Sequence, residues 1–169
     1  MKKVLSIIVF LLVLLSACGG GGGSDLSTVR IGWAGSPDTL NPGMAVLAEA
    51  YTIFELVYDS MYDLNLDGTF TLSLAESSTV SDDRLVWTYK LYEDVEFHDG
   101  KPLTAEDVVF SYNLYQTVED YPWMSGYCAY FESVEAVDEY TVVITLTDPI
   151  PNLDSQLVFL YVLPRHIWA

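Results

Sequence analysis

The stretch VEFHDGKPLTAEDVVFSY, Val95 to Tyr112, limits the possible folds of this chain more than any other. Thr104 is followed three residues later by Asp107, close to the S/T-x-x-E pattern in which side chain and backbone cap each other at a helix start. Leu103 and Val108 stand at the two positions of a hydrophobic staple, and Glu106 and Asp107 place negative charge at the positive end of the helix dipole. Ala105, Val108, Val109, Tyr112 and Tyr115 recur at helical spacing and supply the buried stripe. Upstream, Asp99-Gly100 suits a tight turn, and Pro102 keeps Lys101 extended. The stretch therefore reads as strand, turn and capped helix. His98 has a place in that turn and is not read as a catalytic base, because no nucleophile or second histidine lies near it in sequence.

Other segments extend the pattern in both directions. VRIGWAG, from Val29, is a short strand candidate closed by Gly35, Ser36 and Pro37. Met44 to Tyr62 contains no breaker and spaces Val46, Leu47, Ala50, Ile53, Phe54, Val57, Tyr58 and Met61 as on one helix. DLNLDGTFTLSL predicts a turn at Asn65–Gly68 and a strand carrying Phe70, Leu72 and Leu74 on one face. RLVWTYKL alternates Leu85, Trp87, Tyr89 and Leu91 against Thr88 and Lys90. FESVEAVDEYTVVITL predicts a hairpin turning at Asp138 and Glu139. LDSQLVFLYVL fits a helix or a buried strand equally well.

The N-terminus has a different composition. Lys2 and Lys3 precede an apolar run from Val4 to Leu15, broken only by Ser6 and too short to span a hydrocarbon core. Residues 1–17 are read as a secretory signal. Leu15-Ser16-Ala17-Cys18 resembles a bacterial lipobox, which makes Cys18 the expected site of lipid attachment and places the protein on the outer face of a membrane. The Gly-rich residues 18–28 have no apolar face to bury and form a tether reaching about 18 Å, leaving 29–169 as the folded body. With Cys18 acylated, Cys128 has no partner in the chain and no internal disulfide is expected. The body stops at LPRHIWA directly after an apolar run, which suggests part of something longer.

A formal net charge of −17 makes nucleic acid an improbable partner, since phosphate backbones would be repelled. Asp63 to Gly68 matches the first half of a calcium loop, but its twelfth position is Leu74 instead of a bidentate Glu, so no metal is expected. The acid pairs Asp82/Asp83 and Glu106/Asp107 are neighbours in sequence and point apart, unlike a catalytic pair facing one gap. No cofactor motif occurs.

SDDRLVWTYKLYEDVEFHDGKPLTAEDVVFSYN, with DTLNPG before it and DEYTVVITL and LPRHIW after it, resembles extracellular solute-binding protein family 5, the peptide- and nickel-binding receptors of ABC importers. The likeness spans about residues 29 to 168. Ser73 and Ser78 depart from a Pro and a Trp common in that family. The resemblance implies an α/β (α+β mixed) fold, the N-terminal part of a bilobed periplasmic-binding-protein-like class II architecture, with a mixed sheet and flanking helices. It further implies a monomeric, non-enzymatic protein that captures a small solute, peptides foremost, for a membrane-embedded permease. By the same analogy Ser36, Met44, Trp123 and Tyr161 are the expected ligand contacts. Two rival readings are a surface-anchored hydrolase using paired carboxylates and a structural or adhesive lipoprotein.

Overall fold

In the computed structural model residues 28–169 are described; the signal segment, Cys18 and most of the tether lie outside the described residues. Contacts divide the chain into two units at Ala34/Gly35. Of the first unit, residues 28–34 are exposed and form neither helix nor strand. The strand expected from Val29 is thus not observed: a strand needs a ladder partner, and this segment has none among the described residues.

The second unit, Gly35–Ala169, begins with α1 (Ala48–Phe54). This helix is shorter than the Met44–Tyr62 periodicity predicts. At its start, residues 42–44 form a turn on the Asn41 carbonyl, and Leu47 is extended. At its end, Val57 and Tyr58 both donate to the Phe54 carbonyl, which tightens and closes the last turn. The backbone of residues 59–61 is taken by other partners: the Asp59 carbonyl accepts from Val162 N, Ser60 from Leu74 N and Met61 from Ser73 N. Tertiary pairing overrides helical spacing here.

A hairpin follows, β1 (Tyr62–Leu64) against β2 (Phe70–Leu72), turning at Asn65–Gly68 as predicted. Gly68 has φ +83°, which favours glycine, and Asp67 Oδ1 accepts from both Thr69 N and Thr69 Oγ1. The Asn65 and Asp67 side chains of the calcium-like segment are therefore engaged in the turn itself.

The main sheet contains β3 (Ala75–Val80), β4 (Val86–Leu91), β5 (Phe131–Asp138) and β6 (Thr141–Leu146), in spatial order β3-β4-β6-β5. The mixed sheet implied by the resemblance is, among the described residues, antiparallel throughout. Hairpins β3–β4 and β5–β6 are local, and β6 enters antiparallel beside β4, so no parallel pairing arises. The register places Tyr89, Val142 and Ala136 in one row across the sheet and Trp87, Ile144 and Val134 in the next. Those rows form the core face expected for RLVWTYKL and for the hairpin.

Helix α2 (Ala105–Thr117) lies against β5 and β6 and buries Ala105, Val108, Tyr112 and Tyr115. Three short helices complete the unit: α3 (Met124–Tyr127), α4 (Leu153–Leu157) and α5 (Arg165–Trp168). LDSQLVFLYVL resolves as helix followed by extended backbone, both largely buried.

Candidate functional site

The opening stretch serves as backbone architecture. Phe97 N donates to the Lys101 carbonyl and Gly100 N to the Phe97 carbonyl, with Gly100 at φ +78°; Leu103 N then donates to the Val95 carbonyl. Ala105 N donates to the Glu139 carbonyl, fastening the start of α2 to the β5–β6 turn. Asp107, only 6% exposed, accepts on Oδ2 from Thr104 N (3.0 Å) and Thr104 Oγ1 (2.9 Å), and on Oδ1 from Arg165 N (2.9 Å). One turn on, Ser111 Oγ donates to the Asp107 carbonyl (2.7 Å) and accepts from Leu163 N (2.8 Å). A further turn on, Tyr115 OH donates to the Tyr161 carbonyl (2.9 Å). Positions i, i+4 and i+8 of α2 therefore hold the segment Tyr161–Arg165 by hydrogen bonds. Apolar spacing marked Tyr115 but missed Asp107 and Ser111, which are polar and buried.

The Asp99 carboxylate pairs with His166 and not with the adjacent His98: Asp99 Oδ2 lies 2.7 Å from His166 Nε2, and Phe97 meets the His166 ring edge-on. The hydrogen bond from His166 holds the Asp99 carboxyl below its usual range, aided by Lys101 N. This corner borders a cavity of about 540 Å³ walled by Val57, Leu74, Val95, Phe97, Ile167 and Trp168. No Ser, Thr or Cys lines it. The acid pairs of the hydrolase reading are also engaged elsewhere: Glu106 is exposed and bonded to Arg165 (3.0 Å), and Asp83 Oδ1 accepts from Ser81 Oγ.

Aromatic side chains converge beside this cavity, with Tyr58 and Asp59 shared between it and the next. DTLNPG folds on its own side chains: Asn41 N donates to Thr39 Oγ1, Gly43 N to Asn41 Oδ1 and Val46 N to Asp38 Oδ2. The last bond is the main cause of a lowered Asp38 carboxyl. This loop delivers α1 so that Phe54 packs edge-to-face with Tyr51, Tyr58 and Tyr161, at centroid distances of 5.7, 5.9 and 6.0 Å. Nearby, Tyr127 stacks on Phe159 at 5.2 Å. Two cavities open over these rings. One of about 280 Å³ is walled by Glu55, Tyr58, Asp59, Asp63, Phe159 and Tyr161. A shallower one of about 230 Å³ is walled by Val46, Tyr51, Glu55, Trp123, Tyr127 and Phe159. Glu55 and Phe159 belong to both. Burial raises the phenols of Tyr51, Tyr58 and Tyr161 above their ordinary value, which keeps them neutral near pH 7; Tyr51 OH donates to the Ala45 carbonyl (3.0 Å), whereas the hydroxyls of Tyr58 and Tyr161 donate to no group among the described residues.

Of the four expected ligand residues, Trp123, 55% exposed, and Tyr161, 4% exposed, line these adjoining cavities. Ser36 and Met44 are exposed and line neither. Tyr58, Glu55 and Phe159 were not singled out from sequence. Glu55 and Tyr58 both lie just beyond the end of α1, where the helical pattern assigns Tyr58 a packing role.

Residues 69–167 match the bacterial extracellular solute-binding proteins, family 5 Middle. The chain belongs to this family. It is a family of solute-binding proteins and not of enzymes, and the name places its members outside the cell. Over 148 residues the chain is 32% identical to the probable peptide-binding protein YejA of Agrobacterium fabrum, covering 83% of this chain and 23% of that protein. Among solved structures, it resembles the oligopeptide-binding protein AppA of Bacillus subtilis in complex with a nonapeptide, with 32% identity and TM-score 0.68 over 75% of this chain and 25% of AppA. It also resembles NikZ of Campylobacter jejuni in complex with Ni(L-His), with 29% identity and TM-score 0.62 over 66% of this chain and 22% of NikZ. The chain spans about a quarter of the length of the curated relatives it matches. Both structural neighbours are solute-binding proteins combining helix and sheet, which accounts for the fold described above.

Proposed function

We propose that this chain forms part of the substrate-binding protein of an ABC importer, which captures an oligopeptide or a similar small solute outside the membrane and delivers it to a permease. Family membership together with relatives named for peptide binding carries this reading. The site is consistent with it. Two adjoining aromatic cavities with neutral phenols offer shape and hydrogen-bond donors to a solute, which is the composition expected of a ligand site. In this proposal Trp123 and Tyr161 contact the solute, and closure of a second lobe over them is favoured only by the contacts the solute makes in the closed form. Acylation of Cys18 would moor the protein to the membrane and keep the captured solute near its permease.

Calorimetric titration with peptides of two to nine residues tests the proposal. Saturable binding is expected, weakened at least tenfold by Trp123→Ala, together with a smaller radius of gyration at saturation. An absence of saturable peptide binding would refute the peptide reading, and an unchanged radius would refute closure.

A further inference from the structure

The 280 Å³ cavity has one sign of charge. Glu55, Asp59 and Asp63 stand in its wall, and none of the three side chains makes a hydrogen bond or ion pair among the described residues. No Lys, Arg or His lines either this cavity or its neighbour. Among the described residues Lys90 pairs with Glu93, Lys101 with Asp99 and Arg165 with Glu106. The acidic groups do not stand alone. Tyr161 is 96% buried, yet its hydroxyl makes no hydrogen bond among the described residues. Unlike the enclosed, unpartnered Tyr89 OH and Tyr112 OH, that hydroxyl is not fully enclosed; its residue lines the cavity, and the charge of Glu55 in the same wall acts on the phenol. A buried, unpartnered donor-acceptor facing a cavity is a polar contact awaiting a ligand.

We infer that this cavity receives a positively charged nitrogen of the solute, an ammonium or guanidinium, held between the Glu55 and Asp59 carboxylates with the faces of Tyr58 and Tyr161 beside it. The inference rests on the proposed solute-binding role and narrows its substrate class to cationic peptides. An anionic group would be repelled by three carboxylates, and a neutral apolar group would desolvate them without compensation. A cation gains both charge pairing and attraction to aromatic faces. Tyr58 and Tyr161 stand 5.8 Å apart, centroid to centroid, and form one continuous aromatic wall. Among the described residues no three carboxylate, imidazole or thiol groups converge closely enough to hold a metal ion, so the geometry suits an extended organic cation.

The test compares Ala-Lys-Ala with Ala-norleucine-Ala, which keeps the side-chain length and removes the charge, each with a free and an acetylated amino terminus. If a side-chain ammonium occupies the cavity, the lysine peptide binds at least tenfold more tightly than its norleucine counterpart. If the terminal ammonium occupies it, acetylation weakens both peptides at least tenfold. In either case Glu55→Gln and Asp59→Asn, at exposed positions, should each reduce the charge preference at least fivefold. Asp82→Asn/Asp83→Asn, in the β3–β4 turn, should leave it unchanged. Equal affinity for all four peptides overturns the inference while leaving the peptide-binding reading intact. So does a preference untouched by Glu55→Gln and Asp59→Asn, or one eroded equally by the Asp82/Asp83 change, because charge would then be read elsewhere or by the overall field. Failure of all four to bind overturns both.

Discussion

Replacing Asp107 with Ala tests whether the polar ladder on α2 is structural. The carboxylate is 6% exposed and accepts three hydrogen bonds, two closing the helix cap and one reaching Arg165 N in the return segment. Loss of a hydrogen bond to a charged group costs about 1.5–3 kcal/mol, and loss of a helix cap about 1 kcal/mol. These terms share one side chain and are not additive, so the expected loss is about 3 kcal/mol. For a unit of this size that lowers the melting temperature by roughly 6–12 °C. The neighbouring Glu106→Gln provides the control, since its pairing with Arg165 is between exposed side chains and should contribute under about 1 kcal/mol. Urea titrations of both variants, followed by far-UV circular dichroism, give the comparison. If Asp107→Ala and Glu106→Gln lie within 0.5 kcal/mol of each other, the buried carboxylate is not holding the two segments together and the reasoning fails.

Three further outcomes are expected. Burial raises the Cys128 thiol to about 12, and its Sγ lies 3.9 Å from the Tyr112 carbonyl, so native protein should resist an aromatic disulfide reagent at pH 8 and react fully once unfolded; labelling at the rate of a free thiol would contradict that burial. A Cβ at Gly43 would clash with the Tyr121 ring, so Gly43→Ala should cost about 1–3 kcal/mol in thermal melts, with part recovered by Tyr121→Leu; an unshifted melt would show that the ring moves freely. The folded Asp99 carboxyl is held below its unfolded value, so its contribution to stability is present above about pH 4 and is lost as pH falls through the folded value. The stability difference between wild type and Asp99→Asn should therefore be full at pH 6 and shrink progressively as pH falls below about 4; a difference unchanged by acidification would sink the assignment.

Where burial follows a regular period, sequence and structure agree. Leu85, Trp87, Tyr89 and Leu91 alternate because β4 is an inner strand with one face on the core. The strand β3, AESSTV, was not anticipated: it is a sheet edge whose burial is confined to Ala75, so no alternation is written into it. The helix at Met44–Tyr62 was overextended because residues 59–61 keep apolar spacing while their carbonyls pair with residues 73, 74 and 162. The Asp99–His166 contact joins residues 67 apart, and no local pattern encodes it. The candidate site was legible only in part for the same reason. Trp123 and Tyr161 are expected by family analogy, whereas no local pattern distinguishes Glu55 and Asp59 from the other acids of a strongly acidic chain, and only folding places them on one wall with Tyr161.

The capped helix and the aromatic face are mechanically connected. Tyr161 has its carbonyl held by Tyr115, Leu163 its amide by Ser111 and Arg165 its amide by Asp107, so the segment is fixed along three successive turns of α2. Between the first two anchors, Val162 N donates to the Asp59 carbonyl at 2.9 Å. That single bond joins the segment bearing Tyr161 to the one bearing Tyr58 and Asp59, and all three residues line the same cavity. Neither ring needs to be recruited by a ligand, because each is already set by backbone bonds made behind it. Side chains ordered in advance lose little freedom on binding, so contacts made there translate into affinity more fully than contacts from loose loops. Thr104, Asp107 and Ser111 thus stand outside the wall of this cavity, yet Asp107 and Ser111 hold the segment that carries Tyr161.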